Sequence, residues 1–134
     1  MTGLVLKLGP NERVLINGAV IENGDRRSRL AIMTPNANIL RLKDAIHPEE
    51  VNTPVRRVCY AAQLVLSGDS TPADARLPLL RRIEELSRIL TDPDSRSQLA
   101  LASDAVIAGQ YYGCLKALRT LLPREERLLA VGRP

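Results

Sequence analysis

The sequence predicts an α+β protein: an N-terminal antiparallel sheet of about five short strands, then a C-terminal antiparallel helical bundle. Two observations predict it. Up to about residue 43, short apolar runs alternate with turns rich in Gly, Pro and Asn, at a spacing of roughly 8 to 12 residues. Beyond residue 44, four polar residues each stand before a proline, and apolar residues then recur three and four apart. The predicted division is a β segment over 1–46 and a helical segment over 47–134. A chain of 134 residues can bury a modest core without disulfides or metals.

The strands follow in order. LVLKL is a short apolar run, broken by Gly9 and Pro10. RVLI comes next, and then Asn17-Gly18, a strong hairpin signal because both residues tolerate positive φ. AVIE leads to a second tight turn at Asn23-Gly24-Asp25, followed by RSRLAIM. TPNA is a further turn, and NILRLKD is the last strand. This order suits a meander. Such a sheet cannot cover both of its faces, so it needs the helical layer or a second copy of itself. Its open edges make a homodimer the expectation.

The helices are marked by their starts. His47-Pro48 opens a short turn, and Thr53-Pro54 opens a helix with Val55, Val58, Cys59, Ala62 and Leu66 on one side, closed near Gly68. Thr71-Pro72 opens a segment that Pro78 is expected to interrupt, with Leu79, Ile83, Leu86 and Leu90 striping the main helix after it. Asp92-Pro93 opens the next, with Leu99, Ala102 and Val106 inward and Gly109 at its end. Tyr111, Leu115, Leu118 and Leu122 stripe a last long helix, which Pro123 stops or restarts. AGQYYGCLKALRTL looks like one unit of a tetratricopeptide repeat, but a solenoid needs about three copies, so a single helical hairpin is the reading.

Composition excludes several functions. No apolar run approaches the roughly 18 residues of a membrane span, and the start lacks a signal-peptide pattern, so no membrane association and a cytoplasmic location are expected. Cys59 and Cys114 sit on apolar helical faces and read as reduced core residues. The single histidine, His47, reads as a helix cap, with no thiol or carboxylate placed beside it for acid–base work. One histidine and two distant cysteines make no metal site, and no glycine cluster forms a phosphate loop, so no cofactor and no catalytic residue are expected. The pairs Glu49-Glu50, Glu84-Glu85 and Glu125-Glu126 read as solvated helix faces. With no Phe, no Trp and 3 Tyr, a sheet of base-stacking aromatics is excluded.

Arginine is the informative residue. The net charge is +4, and only Lys7, Lys43 and Lys116 among the 19 basic residues are lysines. The guanidinium group is a flat donor fork suited to phosphate and base edges. Arg26, Arg27 and Arg29 follow the second turn, where they form either a solvated hairpin corner or an anion-binding patch. Arg41 and Lys43 on the last strand would extend such a patch. Arg56 and Arg57 lie in the first turn of a helix, against its dipole, which invites a partner or a neighbouring acid such as Glu49 or Glu50.

The stretches LKLGPNERVLINGAVIENGDRRSRLAI, EEVNTPVRRVCYAAQL and AGQYYGCLKALRTLLPRE together resemble the flagellar biosynthesis repressor FlbT family, from about Leu4 to Arg127. That resemblance implies a post-transcriptional repressor in bacterial flagellum biogenesis. It would bind the 5′ untranslated leader of flagellin mRNA and promote its decay, alongside the opposing flagellar regulator FlaF. The strand order of the first 40 or so residues is also similar to the carbon storage regulator (CsrA) family, which pairs strands of two chains and holds RNA with basic residues on its first and last strands. By that likeness Lys7, Arg41 and Lys43 would touch RNA. The RNA-binding set is therefore Lys7, Arg26, Arg27, Arg29, Arg41, Lys43, Arg56 and Arg57. The alternative is a protein-interaction or chaperone-like module for flagellin or FlaF, docking through Tyr111, Tyr112, Leu128 and Leu129. An enzyme is the weakest of the three readings.

Overall fold

The computed structural model describes residues 4–35 and 37–131; the ends of both predicted segments, 1–3 and 132–134, lie outside the described residues. Five strands come first: β1 (Leu4–Leu8), β2 (Arg13–Ile16), β3 (Ala19–Glu22), β4 (Ser28–Ile32) and β5 (Ile39–Arg41). Five α-helices follow: α1 (Pro54–Ser67), α2 (Pro72–Ile89), α3 (Pro93–Ile107), α4 (Tyr111–Arg119) and α5 (Leu122–Val131). The α+β class is as expected. Among the described residues no helix is long and apolar enough to cross a membrane.

The strands do not form one meander. They make two small antiparallel sheets, β1–β4 and β3–β2–β5. Only β2–β3 is a local hairpin, and its turn has Asn17 at φ 49° and Gly18 at φ 84°, both in the left-handed region that a two-residue hairpin requires. The second turn is no hairpin. Residues 23–27 carry the chain from one sheet to the other. Asn23 is the pin: its Nδ2 donates to the Gly9 carbonyl at 2.7 Å and to the Arg26 carbonyl at 2.9 Å. Its Oδ1 accepts from the Ser28 hydroxyl at 2.7 Å. A side chain so committed satisfies the backbone of a crossing loop and ties it to the end of β1.

The last strand is shorter than NILRLKD. It ends at Arg41, and Leu42–Asp44 turns as a 3-10 helix. Arg119 on α4 donates to the Asp44 carbonyl at 2.6 Å, which fastens that turn to the helical layer. A second clamp lies nearby. The buried Gln63 of α1 accepts from the Ile46 amide at 2.7 Å and donates to its carbonyl at 3.2 Å. The connecting segment is thereby bonded as a strand neighbour would bond it.

Each α-helix from α1 to α3 begins with a side-chain oxygen on its third amide: Thr53, Thr71 and Asp92 accept from Arg56, Asp74 and Ser95, with proline next in sequence. Gly68, at φ 88°, closes α1 in the left-handed conformation. Pro78 does not interrupt α2, contrary to expectation; the helix runs through it. Its missing N–H would have bonded the carbonyl of Asp74, on an exposed turn open to water. The loss of about 3 kcal/mol is outweighed by Leu79, Ile83 and Leu86, each buried at about 1.5–3 kcal/mol. Leu122 does not belong to the Tyr111 stripe either: α4 stops at Arg119, and Pro123 restarts the chain as the second residue of α5.

Consecutive helices from α1 to α4 pack side by side, and α1 also meets α4, which closes a ring. One large core fills it, from Val55 and Leu66 through Leu79 and Leu99 to Leu118 and Leu121. Cys59 and Cys114 are fully buried and unbridged there, and burial pushes each thiol up to about 12. A second core is much smaller: Leu6, Leu8, Val14 and Ile39, between the two sheets. Tyr112 packs against both cores.

Candidate functional site

The site grows from the strand register of β1 and β4. Leu6 and Leu8 point inward and are buried, so Lys7 between them faces out. The register sets Lys7 opposite Arg29, and Leu8 opposite Ser28. Like charges directly across a ladder are destabilising unless an anion answers them. No carboxylate forms an ion pair with Lys7, Arg27 or Arg29 among the described residues.

An open cleft of about 580 Å³ gathers them, lined by Lys7, Arg27, Arg29, Arg41 and Lys43 with Gly9, Glu12 and Ser28. Five of the eight predicted RNA-binding residues therefore share one surface. They come from β1, β4, the end of β5 and the loops beside them. The one carboxylate is committed: Glu12 accepts from Arg41 Nε at 2.7 Å and from Arg41 Nη2 at 2.8 Å. Arg41 also donates to the Lys7 carbonyl at 2.6 Å. The side chains of this ion pair are 17% and 11% exposed, so the pair is largely withdrawn from water. The Arg41 guanidinium bonds, with help from the Gly9 amide and Lys43, hold the Glu12 carboxyl down at about 2. The same bonds raise Arg41. Arg41 is thus a strut of the cleft, and its charge is half spent; Lys7, Arg27, Arg29 and Lys43 carry the field.

The other predicted residues lie elsewhere. Arg26 is exposed on the crossing loop, outside the lining of the cleft. Arg56 and Arg57 stand in the first turn of α1; Arg56 bonds Asn52 at 3.0 Å and lines a separate cavity with Thr53, Glu125 and Glu126. The acid that answers this helix start is Glu125, from α5. Its carboxylate accepts from the Val55 amide at 2.8 Å and from the Thr53 hydroxyl. Glu125 is buried, so it departs from the solvated face expected of it. Neither Glu49 nor Glu50 takes that role; both are exposed, and the Glu49 amide bonds His47 Nδ1 at 3.3 Å, the cap expected of that histidine. Of the docking residues, Tyr111 is only 3% exposed and belongs to the helical core, so it is covered and presents no docking surface, contrary to expectation. Tyr112 is half-buried, while Leu128 and Leu129 are exposed on α5.

Glu12, Asn23 and Glu125 are the structural residues the sequence reading missed. Glu12 and Arg41 are 29 positions apart, and Glu125 and Val55 are 70 apart, so no local pattern announces either contact. The Asn23 bonds could have been suspected, since Asn before Gly favours turns that the side chain itself bonds.

Comparison with known proteins gives one consistent result. The family model described as "Flagellar protein FlbT" matches residues 4–129. A probable flagellum biosynthesis repressor protein FlbT of Rhodopseudomonas palustris (strain TIE-1) is 36% identical over 127 residues, covering 95% of this chain and 98% of that protein. The flagellum biosynthesis repressor protein FlbT of Caulobacter vibrioides (strain ATCC 19089) is 30% identical over 126 residues, covering 94% and 89%. No solved structure matches the chain. By the extent of the family match and the coverage of these relatives, the chain belongs to the FlbT family of flagellar proteins.

Proposed function

We propose that this chain is a repressor of flagellum biosynthesis that acts after transcription, by binding the 5′ leader of flagellin mRNA and promoting its decay. The names of its relatives support the repressor role. The RNA role is carried by the basic cleft, above all by the opposed pair Lys7 and Arg29 with Arg27 beside them. Phosphates would answer cations that no carboxylate pairs with among the described residues. The cleft offers guanidinium forks and a lysine on a twisted two-stranded ladder, a surface suited to the backbone of a structured leader. Host ribonucleases would then do the cutting.

The experiment is a gel shift of purified protein with flagellin leader RNA across a range of salt. The triple variant Lys7→Ala, Arg27→Ala, Arg29→Ala is expected to lose at least ten-fold in affinity. Its salt slope should flatten by about 0.7 per phosphate contact removed. Arg26→Ala, outside the cleft, should lose much less. A triple variant that binds like the wild type overturns the reading.

A second reading has its own observation. Leu128 and Leu129 are 47% and 41% exposed on α5. By this reading α5 docks flagellin or the regulator FlaF, and any effect on the message is indirect. Co-purification of either protein, lost on Leu128→Ser with Leu129→Ser while the gel shift persists, would favour it. A homodimer through the open strand edges is compatible with both readings, and light scattering of the purified chain tests it.

A further inference from the structure

A second cavity opens where the β layer meets the helices. It measures about 390 Å³, and its lining includes Leu40, Lys43, Asp44, Tyr112, Leu115 and Lys116. That volume lies in the range of small-ligand sites. Arg41 and Lys43 line both this cavity and the basic cleft, so the two adjoin.

Its chemistry is divided. Leu40 and Leu115 are buried and give it apolar walls, and Tyr112 adds an aromatic ring that is only partly covered. Asp44 is matched by Arg119, whose guanidinium lies 3.7 Å from its carboxylate. Arg41 is matched by Glu12. Lys43 and Lys116 are exposed and form no ion pair among the described residues. An apolar wall with one half-buried aromatic ring, beside two ammonium groups that form no ion pair among the described residues, matches a flat base joined to a phosphate.

We propose that this cavity is a nucleotide site, in which the Tyr112 ring receives a base and Lys43 and Lys116 hold its phosphate. The nucleotide would come from one of two sources. It is an unpaired residue of an RNA whose backbone follows the adjoining cleft, or it is a free mononucleotide. The first source rests on the RNA reading given above; the second does not. The site also gives a base-stacking role to a protein whose aromatics are too few for a stacking sheet.

The test uses the full chain and two probes: a fluorescent, unstructured ten-nucleotide adenylate RNA, and adenosine 5′-monophosphate followed by amide shifts in NMR spectra. Tyr112→Leu keeps an apolar side chain against both cores, and circular dichroism checks that it folds. This variant should weaken binding about ten-fold with the salt slope unchanged, while Tyr112→Phe binds as wild type. Lys116→Ala should flatten the RNA salt slope by about 0.7. A Tyr112→Leu loss seen with the RNA supports the site with RNA as its source. A loss seen only with the mononucleotide supports the site with a free nucleotide as its source. If neither probe binds, or if Tyr112→Leu binds both like the wild type, the site is overturned. The cleft reading survives that outcome when the Lys7, Arg27, Arg29 variant still loses the leader RNA. It falls by itself when the leader is not bound but the mononucleotide depends on Tyr112.

Discussion

The helical layer and the β layer are held by different forces. In the helices, one continuous core runs through α1 to α4, and its residues recur three and four apart along each element. In the β layer, four residues form the fully buried core, and β3 is exposed along its whole length. What that layer lacks in burial it gains from directed bonds: Asn23 across the crossing loop, the Glu12–Arg41 pair across 29 residues, and the Arg119 and Gln63 clamps from below. A layer of small core can then keep its outer positions for cations. The helices therefore act as a platform, and the sheets, fastened to it, present charge.

A cavity in the platform puts this contrast under the greatest strain. Leu79 is completely buried in α2, and Leu79→Ala should cost about 3–5 kcal/mol. Because the β layer is clamped to the helices, thermal unfolding followed by circular dichroism and by amide signals of β1 should shift together. Separate transitions would mean that the sheets stand alone. Next in size is Glu125→Ala. It orphans the Val55 amide and the Thr53 hydroxyl at the start of α1, at about 2–3 kcal/mol in urea unfolding. Its cost should exceed that of Glu126→Ala, since Glu126 is exposed.

Smallest, and specific to the β layer, is Glu12→Gln at about 2 kcal/mol at neutral pH. The Glu12 carboxyl is held at about 2, against 4.5 for a free one. Its folded pKa is depressed, so its contribution is complete above about 4.5 and is lost as pH falls through 2. Wild type and Glu12→Gln should therefore converge in stability between pH 4.5 and pH 2. A constant gap across that window would mean that the charge of Glu12 is not what stabilises the β layer.

Much of the helical layer was legible in the sequence, because its signals are local. The caps Thr53, Thr71 and Asp92 and the apolar stripes act within one or two turns of the chain. Pro78 misled because propensity speaks for one residue, and a buried face of three large side chains outweighs it. The hairpin at Asn17-Gly18 was equally local. The pairing of β1 with β4 was not, since period-two alternation says which side of a strand is buried and nothing about which strand lies next to it. Of the candidate site, the residue types were readable as a run of cations that Arg41 and Lys43 could extend, and Lys7 came from family likeness. Their meeting in one cleft, without Arg26, Arg56 and Arg57, depends on strand pairing.

The class, the helix starts, the buried stripes and the family can all be read along the chain, since each is written in residues close together or in a whole-chain pattern. The split of the strands into two sheets, the structural roles of Glu12 and Glu125, and the meeting of five cations in a cleft beside a cavity lined by Tyr112 arise on folding. What separates the two is range. Caps and periodicity act over a few residues, whereas the charges that form the site are brought together by contacts between segments that are distant along the chain.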